Sequence, residues 1–405
     1  MERDDVLKIF CTDDFKEISD DEIKAANKWI CSVLLEDLNT LVAENDESIQ
    51  NFVFNLFESL LNKHGEDLES DSMFKKLKIF YRLFVNTSAR SEIFKELSLK
   101  KLEIVHWLAI LRFEDLLPET TYAICCFGKH IYNKYLLEKE FFRFINDLTT
   151  ICNTNSKDHV HNSLIAFFWK LFEECPTFLS ESFQSMGMRD YIYILGILIE
   201  LTDNNYDTES TYVKVHENNI YFMVSLLERW CHDNFKEAET LRLPLHLMTI
   251  LGTLAIHKRN YSDNVFTNKE ILSSIKIILM NILGVEDKKG QIPGTSERFR
   301  ALCNKDDDFV PLNDLKISCL RLVTNICMDN GVNQKNAGDV GLLYPVLQCS
   351  FDRTTLDVAL RKEWSVICIK ALTDKCEENQ EFLRDIKNKL SSPVVESLKE
   401  KTIFA

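Results

Sequence analysis

The sequence predicts an all-α fold, a superhelical solenoid of stacked helices, and three observations lead to it. Glycine and proline supply 11 and 7 of the 405 residues, about 4% where average usage gives roughly 12%. Apolar residues recur at the three- and four-residue spacing of a helix face, and the strict alternation of strands is nearly absent. Two C-terminal segments repeat each other. So few helix breakers argue against β-sandwiches, β-barrels and glycine-rich nucleotide folds.

The first helix with a clear start signal begins at Ser19. Ser19 and Glu22 form a capping box, in which the serine oxygen and the glutamate carboxylate satisfy free amides at the helix start. The apolar residues that follow mark one face: Ile23, Ala26, Ile30, Val33, Leu34 and Leu38. Further helices are predicted from Phe52 to Leu61 and from Phe74 to Phe84. No composition shift separates two domains, so one array over residues 1–405 is expected.

One break is longer than the others and runs from Gly284 to Pro311. It contains three of the eleven glycines, two prolines and the acidic run Asp306-Asp307-Asp308. This composition predicts an exposed, flexible loop at 284–311. The acidic run is interpreted as solvated, because it has neither the helix nor the one-turn spacing that paired magnesium ligands need.

The internal repeat becomes visible when residues 315–334 are set over residues 361–380, an offset of 46 residues. In each copy an apolar helix ends, a polar turn follows, and an Asn-Gln pair opens the next helix: Asn333-Gln334 and Asn379-Gln380. Armadillo and HEAT repeats have periods of roughly 40 to 47 residues. One helical unit cannot bury its apolar faces alone, but stacking on a neighbour buries them. The repeat therefore predicts an armadillo/HEAT-like right-handed superhelical solenoid.

The same C-terminal stretch, Leu315 to Leu383, resembles the ataxin-10 family. The most specific part is Glu363-Trp-Ser-Val-Ile-Cys-Ile-Lys-Ala-Leu-Thr373, followed by Asn379-Gln380. The resemblance implies an armadillo-like, non-enzymatic protein of the cytoplasm, associated with cytokinesis and with neuronal survival and neurite growth. One position departs from the family, which has Asn before Leu-Thr where this chain has Ala371. The equivalent Asn325 is present in the preceding repeat.

Charge narrows the choice of partners. The chain has 48 Lys and Arg against 63 Asp and Glu, a formal net charge of -15. Such a surface repels phosphate backbones and anionic lipids, so neither nucleic acid nor membrane insertion is expected. Protein partners that offer basic or apolar segments are expected instead, and the sequence leaves open whether the chain forms homo-oligomers. No stretch reaches 18 apolar residues and the first residues contain no apolar run, so a cytoplasmic protein is predicted.

Catalytic and metal-binding signatures are not found in the sequence. It contains no Gly-x-Ser-x-Gly elbow, no phosphate-binding Gly-x-x-x-x-Gly-Lys and no His-Glu-x-x-His. Cys126 with His130, and His159 with His161, have no second pair at ligand spacing. The thirteen cysteines are interpreted as reduced and mostly buried, with Cys31, Cys319, Cys327 and Cys368 on apolar helical patterns. We therefore expect no enzyme activity, no cofactor and no metal.

Arg321 and Asn325 are the candidate partner-binding residues. They lie four apart on one helix face, polar in an otherwise apolar segment. Armadillo arrays can align such side chains along a groove, where they bind the backbone of an extended peptide; alternatively, Asn325 caps a local turn.

The predicted function is thus a protein–protein interaction scaffold. Two alternatives remain open at this stage. A karyopherin-like transport adaptor would have Trp and Asn recurring in several successive repeats, and a helical enzyme would assemble its site from distant residues.

Overall fold

The computed structural model describes residues 3–11, 15, 17–33, 35–62, 72–111, 113, 116–136, 140–154, 158–203, 214–232, 240–286, 296–303, 312–351 and 358–389. Within these ranges the regular structure is helical, with no β-strand. The predicted all-α helical solenoid is therefore confirmed. The chain divides into two compact units, Met1–Cys175 and Pro176–Ala405. The expectation of one array over 1–405 stays a prediction.

Unit 1 (Met1–Cys175) contains ten described helices. These are α1 (Arg3–Phe10), α2 (Asp20–Ser32), α3 (Leu35–Glu44), α4 (Asp46–Leu61), α5 (Ser72–Arg90), α6 (Glu92–Lys101), α7 (Ile104–Ile110), α8 (Leu117–Tyr135), α9 (Phe141–Thr154) and α10 (Asp158–Glu174). The predicted capping box starts α2, where the Glu22 amide donates to Ser19 Oγ and the Ser19 amide donates to Glu22 Oε2 at 2.8 Å. Helices α2, α5, α8 and α10 pack in succession, so each buries its apolar face on the next.

The core of unit 1 is rich in aromatic rings. The Trp107 ring lies 5.5 Å from Phe57 and 5.2 Å from Phe127, and all three side chains are fully buried. A kink in α8 at Gly128, with φ 20°, leaves the Cys125 carbonyl to accept a hydrogen bond from Lys170 of α10 at 2.9 Å. A Cβ at Gly128 would lie 3.0 Å from Lys170 Cδ. Gly128 thus allows both the kink in α8 and the close approach of Lys170, whose ammonium bonds the Cys125 carbonyl.

Unit 2 (Pro176–Ala405) contains the remaining helices and one 3₁₀ helix (Ala255–Asn260). The helices are α11 (Phe178–Ser185), α12 (Met188–Asp203), α13 (Glu217–Cys231), α14 (Arg242–Leu254), α15 (Asp263–Phe266), α16 (Lys269–Glu286), α17 (Glu297–Cys303), α18 (Leu312–Cys327), α19 (Gly331–Asp339), α20 (Leu343–Phe351), α21 (Val358–Thr373) and α22 (Glu377–Lys389). One layer is formed by α12, α14, α18 and α21, a second by α13, α16 and α20. This layering is the packing of a helical repeat.

The long loop predicted for residues 284–311 is wrong in part. Gly284 belongs to α16, and α17 (Glu297–Cys303) forms inside the predicted loop. Phe299 and Leu302, three apart on α17, are buried, which holds this helix on the unit. Because the segment as a whole is rich in glycine, proline and charged residues, its composition did not indicate this short apolar stripe. Residues 287–295 and 304–311, including the acidic run at 306–308, lie outside the described residues.

The Asn-Gln pair makes equivalent hydrogen bonds in the two C-terminal segments that the sequence aligns. Asn333 Nδ2 donates to Ile326 O, seven residues earlier, at 3.0 Å and to Phe266 O of α15 at 2.7 Å. Asn379 does the same one repeat later, donating to Leu372 O at 2.7 Å and to Gln334 O at 2.8 Å. Each asparagine therefore closes the turn before its own helix and ties that helix to the preceding repeat. We call these residues, with Gln334 and Gln380, the Asn-Gln ladder.

Basic side chains satisfy other helix ends in the same manner. Arg298 of α17 donates to Trp230 O and His232 O at the end of α13, at 2.6 and 3.1 Å. In unit 1, Lys134 of α8 donates to Leu99 O and Leu102 O at the end of α6. The last carbonyls of a helix have no partner within it and carry its partial negative charge. A basic side chain from a neighbouring helix donates hydrogen bonds to these carbonyls and offsets their partial negative charge.

Gly338→Ala tests the Asn-Gln ladder. A Cβ at Gly338 would lie 2.3 Å from Asn379 Oδ1, so Asn379 must move and lose its two carbonyl hydrogen bonds. We expect a loss of about 2 kcal/mol in the free energy of unfolding, measured by urea denaturation. The matched control is Gly331→Ala, where a Cβ meets nothing within 4 Å. The control should be neutral or slightly stabilised, and equal behaviour of the two variants would contradict the ladder.

Candidate functional site

A groove of about 1020 Å³ opens in unit 2 where the 3₁₀ helix faces the end of α18. Helix α14 passes directly into the 3₁₀ helix, and a short turn then leads to α15. We call this feature the 3₁₀ groove. It is lined by Ala255–Asn260, residues 262–264, 266–267 and 328–330, Asn325 and Val332.

Lys258 links the two sides of the 3₁₀ groove. Its ammonium donates to Asn325 O at 3.0 Å and to Met328 O, which are carbonyls at the C-terminal end of α18. Burial lowers the pKa of Lys258, and the charge of Arg259 acts in the same direction, while Asp329 opposes it. Lys258 thus sets the width of the groove by bonding one wall to the other.

Asn325 lies in the wall of the 3₁₀ groove, but part of its side chain has a structural role. Asn325 Nδ2 donates to Gly252 O of α14 at 2.8 Å, and the side chain is half-buried. The amide therefore bridges two stacked helices rather than capping a local turn. Ala371, at the equivalent position one repeat later, has no side-chain amide that could form such a bond.

Arg321 is placed differently from Asn325. Its guanidinium donates to Thr253 Oγ1 of α14 at 3.3 Å, and it is half-buried between the helices. Arg321 is not among the described residues that line the 3₁₀ groove. The structure thus brings only one of the two sequence-predicted residues to this groove. Their predicted role in binding a partner stays a prediction.

The 3₁₀ groove also exposes aliphatic side chains. Ile256, Met328 and Val332 are 44%, 46% and 58% exposed, and all three line it. Beside them lie the basic residues His257, Lys258 and Arg259. A surface that combines open aliphatic groups, charges and free amides suits a protein segment better than a small metabolite, which prefers an enclosed pocket.

Sequence reasoning missed most of this groove. Residues 258–263 are polar apart from Tyr261, so no apolar helical pattern in the sequence indicates a groove there. The consecutive basic residues His257-Lys258-Arg259, in a chain of net charge -15, were the available signal. Lys258 and Asn325 are 67 residues apart, so their contact could be found only in three dimensions.

The cysteines do not form a reactive centre. None of the thirteen forms a disulfide; Cys319, Cys327 and Cys368 are fully buried as predicted, whereas Cys31 is exposed. Burial raises the pKa of Cys327 to about 12, and it raises the pKa of Cys319 and Cys368 well above the ordinary value. Since the thiolate is the nucleophile, these thiols are inert near neutral pH.

The histidine pairs singled out by spacing also have other partners. His130 Nε2 lies 2.7 Å from Glu92 Oε2, and His161 Nδ1 lies 3.5 Å from Cys152 Sγ and 3.2 Å from Cys152 O. Cys152 is only 3% exposed. In the described part of the chain, no group of three or more His, Cys, Asp or Glu side chains is placed to hold a metal ion.

Comparison with known proteins identifies the C-terminal region. Residues 315–402 match the model of a family described as the spinocerebellar ataxia type 10 protein domain. The chain carries an ataxin-10 family domain. This confirms the resemblance that the sequence indicated over Leu315 to Leu383. The domain supplies one wall of the 3₁₀ groove, with Asn325, residues 328–330 and Val332, while the other wall lies before residue 315.

Other comparisons are less informative. None of the curated proteins compared with the chain matches it significantly. The crystal structure of one engineered protein from the Northeast Structural Genomics Consortium is similar over 100% of both chains, with 12% identity and a TM-score of 0.34. A second engineered protein from the same consortium shares 9% identity over 80% of this chain and 97% of its own, with a TM-score of 0.28. At such low TM-scores these likenesses carry no argument.

The described helices were also compared with the requirements of a membrane span. None of them is both long enough and apolar enough to cross a bilayer.

Asn325→Ala tests the bridge between α14 and α18. Loss of the bond to Gly252 O should lower the free energy of unfolding by about 1 kcal/mol. Asn264→Ala is the matched control, because Asn264 lines the same groove but is exposed. Thermal denaturation of both variants measures the difference. No loss of stability in Asn325→Ala would show that the bridge contributes nothing.

Thiol labelling tests the burial pattern of the cysteines. In the native protein, Cys11 and Cys31 should react first with a maleimide near neutral pH, because both are exposed. Cys319, Cys327 and Cys368 should react only after addition of denaturant, since burial keeps them protonated and inaccessible. Mass spectrometry of peptides at successive times gives the order. Early labelling of Cys319 would contradict the packing of α18.

Proposed function

We propose that the chain is a non-enzymatic protein-binding scaffold that holds a partner segment in the 3₁₀ groove. The observation that carries the proposal is the combination at one site of three exposed aliphatic side chains with Asn325, whose amide nitrogen is already bonded to Gly252 O. The other amide atom, Asn325 Oδ1, is then left to accept a hydrogen bond from a partner backbone. Stacked repeats commonly use such surfaces for binding.

The ataxin-10 family domain supports this assignment. The resemblance to that family implies a cytoplasmic protein associated with cytokinesis and with neuronal survival and neurite growth. We propose the same setting for this chain. A rigid scaffold is suited to such a role. The Asn-Gln ladder and Lys258 hold the walls of the groove in place before a partner binds, and this preorganisation lowers the ordering cost of binding.

A helical enzyme has less support than a scaffold. Two polar side chains in the wall of the 3₁₀ groove, Lys258 and Asn330, are engaged in structure. Lys258 holds two carbonyls of α18, and Asn330 bonds Thr267 Oγ1 at 3.2 Å and the amide of Asn333 at 3.0 Å. A general base or nucleophile needs instead a group that is available to a substrate.

The test is capture of proteins from dividing cells by the full chain and two variants. Val332→Glu places a charge in the 3₁₀ groove near the start of α19, where an acidic residue is compatible with the helix. Ile367→Glu is the matched control, because Ile367 is 41% exposed but does not line the groove. We expect at least one protein to be held by the unmodified chain and by Ile367→Glu, and lost from Val332→Glu.

The captured protein is then purified and its affinity for the three chains is measured by calorimetry. Val332→Glu should weaken binding at least about tenfold, the equivalent of about 1.4 kcal/mol. Equal affinity for all three chains would refute the assignment of the groove. Circular dichroism melts of the variants exclude loss of the fold as the cause.

A further inference from the structure

Asn330 and Gly331 form the one Asn-Gly pair in the sequence. In such a pair the backbone nitrogen of the glycine can attack the side-chain amide carbon of the asparagine, because glycine has no side chain to hinder the approach. The N–Cγ bond forms, the Cγ–Nδ2 bond breaks, and ammonia leaves with the proton of the glycine nitrogen. Water then opens the cyclic imide at either carbonyl and gives aspartate or isoaspartate. The reaction is spontaneous deamidation and needs no enzyme.

The Asn-Gly pair is present in only one copy of the C-terminal repeat. At the positions 46 residues later the chain has Cys376 and Glu377. The nearby asparagines of the Asn-Gln ladder, Asn333 and Asn379, are each followed by glutamine and are 0% and 3% exposed. A larger neighbour hinders ring closure, and burial hinders the access of water. The repeat therefore has one reactive asparagine, Asn330.

The backbone nitrogen of Gly331 is open to solvent. Gly331 is exposed, and a Cβ at this residue would meet nothing within 4 Å. It is the first residue of α19, so its N–H has no carbonyl within the helix to bond. The positive end of the helix dipole lies at the same point and favours loss of a proton from this nitrogen. The nucleophile is thus available without the loss of a helix hydrogen bond.

The side-chain amide of Asn330 is held away from that nitrogen. Asn330 Oδ1 accepts from the Asn333 amide at 3.0 Å, and Asn330 Nδ2 donates to Thr267 Oγ1 at 3.2 Å. The Asn330 ψ of 91° places the Gly331 nitrogen and the Asn330 side chain on opposite sides of the Cα–C bond. Ring closure needs both on the same side, so the backbone must rotate and both hydrogen bonds must break. The folded state therefore suppresses the reaction.

We propose that Asn330 is a deamidation site that the bond to Thr267 holds closed, so that it reacts only when the start of α19 separates from α15. Thr267 follows α15, and the bond joins the two walls of the 3₁₀ groove. Aspartate at this position keeps the N-cap and adds a negative charge. Isoaspartate lengthens the main chain by one carbon and displaces both hydrogen bonds. Deamidation thus makes a transient opening of the groove permanent, whether or not a partner binds there.

The first test compares the folded full chain in buffer with the chain unfolded in urea, near neutral pH. Mass spectrometry of peptides gives the deamidated fraction of each asparagine at successive times. In urea, Asn330 should react faster than any other asparagine. In the folded chain it should react at least about tenfold more slowly, because two hydrogen bonds must break first. A faster asparagine elsewhere in urea, or equal rates for Asn330 in the two states, would overturn the inference.

Three variants test the role of Thr267 and the chemistry. Thr267→Val removes the acceptor and keeps a similar shape, so deamidation of Asn330 in the folded chain should become about fivefold faster, the effect of one hydrogen bond. Thr267→Ser keeps the hydroxyl and should react as the unmodified chain does. Gly331→Ala should slow the reaction in both states, since its methyl group hinders ring closure.

Two results would contradict the role of Thr267. One is an unchanged rate in folded Thr267→Val. The other is an equal increase in Thr267→Ser, or a faster rate of Thr267→Val in urea, where the bond to Asn330 is absent in any case. Circular dichroism melts show whether Thr267→Val folds. If it does not, the comparison of the unmodified chain in buffer and in urea still decides whether the fold protects the site.

The consequence of deamidation is measured on the product. The chain with isoaspartate at position 330 is separated by ion exchange and compared with Asn330→Asp, which reproduces only the aspartate product. Backbone hydrogen exchange at the start of α19 should be at least about fivefold faster in the isoaspartate form, because its hydrogen bond to the Asn333 amide is lost. Equal exchange in the two forms would show that deamidation leaves the groove closed and would refute this part of the inference.

Discussion

The structure depends on side chains that satisfy the backbone carbonyls of a neighbouring helix. Each helix ends with carbonyls that lack partners, and a stack of short helices has many such ends in its interior. Asn333 and Asn379 meet this need in unit 2, and Lys134 meets it in unit 1. An unpaired buried carbonyl costs about 1 to 3 kcal/mol. These bonds therefore decide which helix ends can be buried together.

The same bonds set the spacing of the repeats. Asn379 spans from Leu372 O, at the end of its own preceding helix, to Gln334 O of α19. A shift of one helix against the other would break one of these two bonds. The close approach also requires Gly338, because a side chain there would occupy the place of Asn379 Oδ1. Hydrophobic contact alone permits sliding, whereas a ladder of directional bonds permits one register.

The 3₁₀ groove lies beside another helix end that is satisfied by a side chain from a neighbouring element. Lys258 satisfies the end of α18 from the 3₁₀ helix, which packs against α18. The space between them is the groove. Arg259, next in the chain, is exposed. A structural cation and an exposed cation are thus neighbours in the sequence.

The sequence by itself determined the helical class, the capping box at Ser19 and the 46-residue repeat, because these depend on local spacing. It also indicated the ataxin-10 family domain through a specific run of residues, Glu363 to Thr373. It did not reveal α17, since the buried pair Phe299 and Leu302 is too short a stripe to outweigh the glycines and prolines around it. It placed Cys31 in the core and left the partner of Asn325 open. Only the tertiary structure decided these points, because periodicity identifies a helix face but not the neighbour that covers it, and Asn325 meets Gly252 across 73 residues of chain.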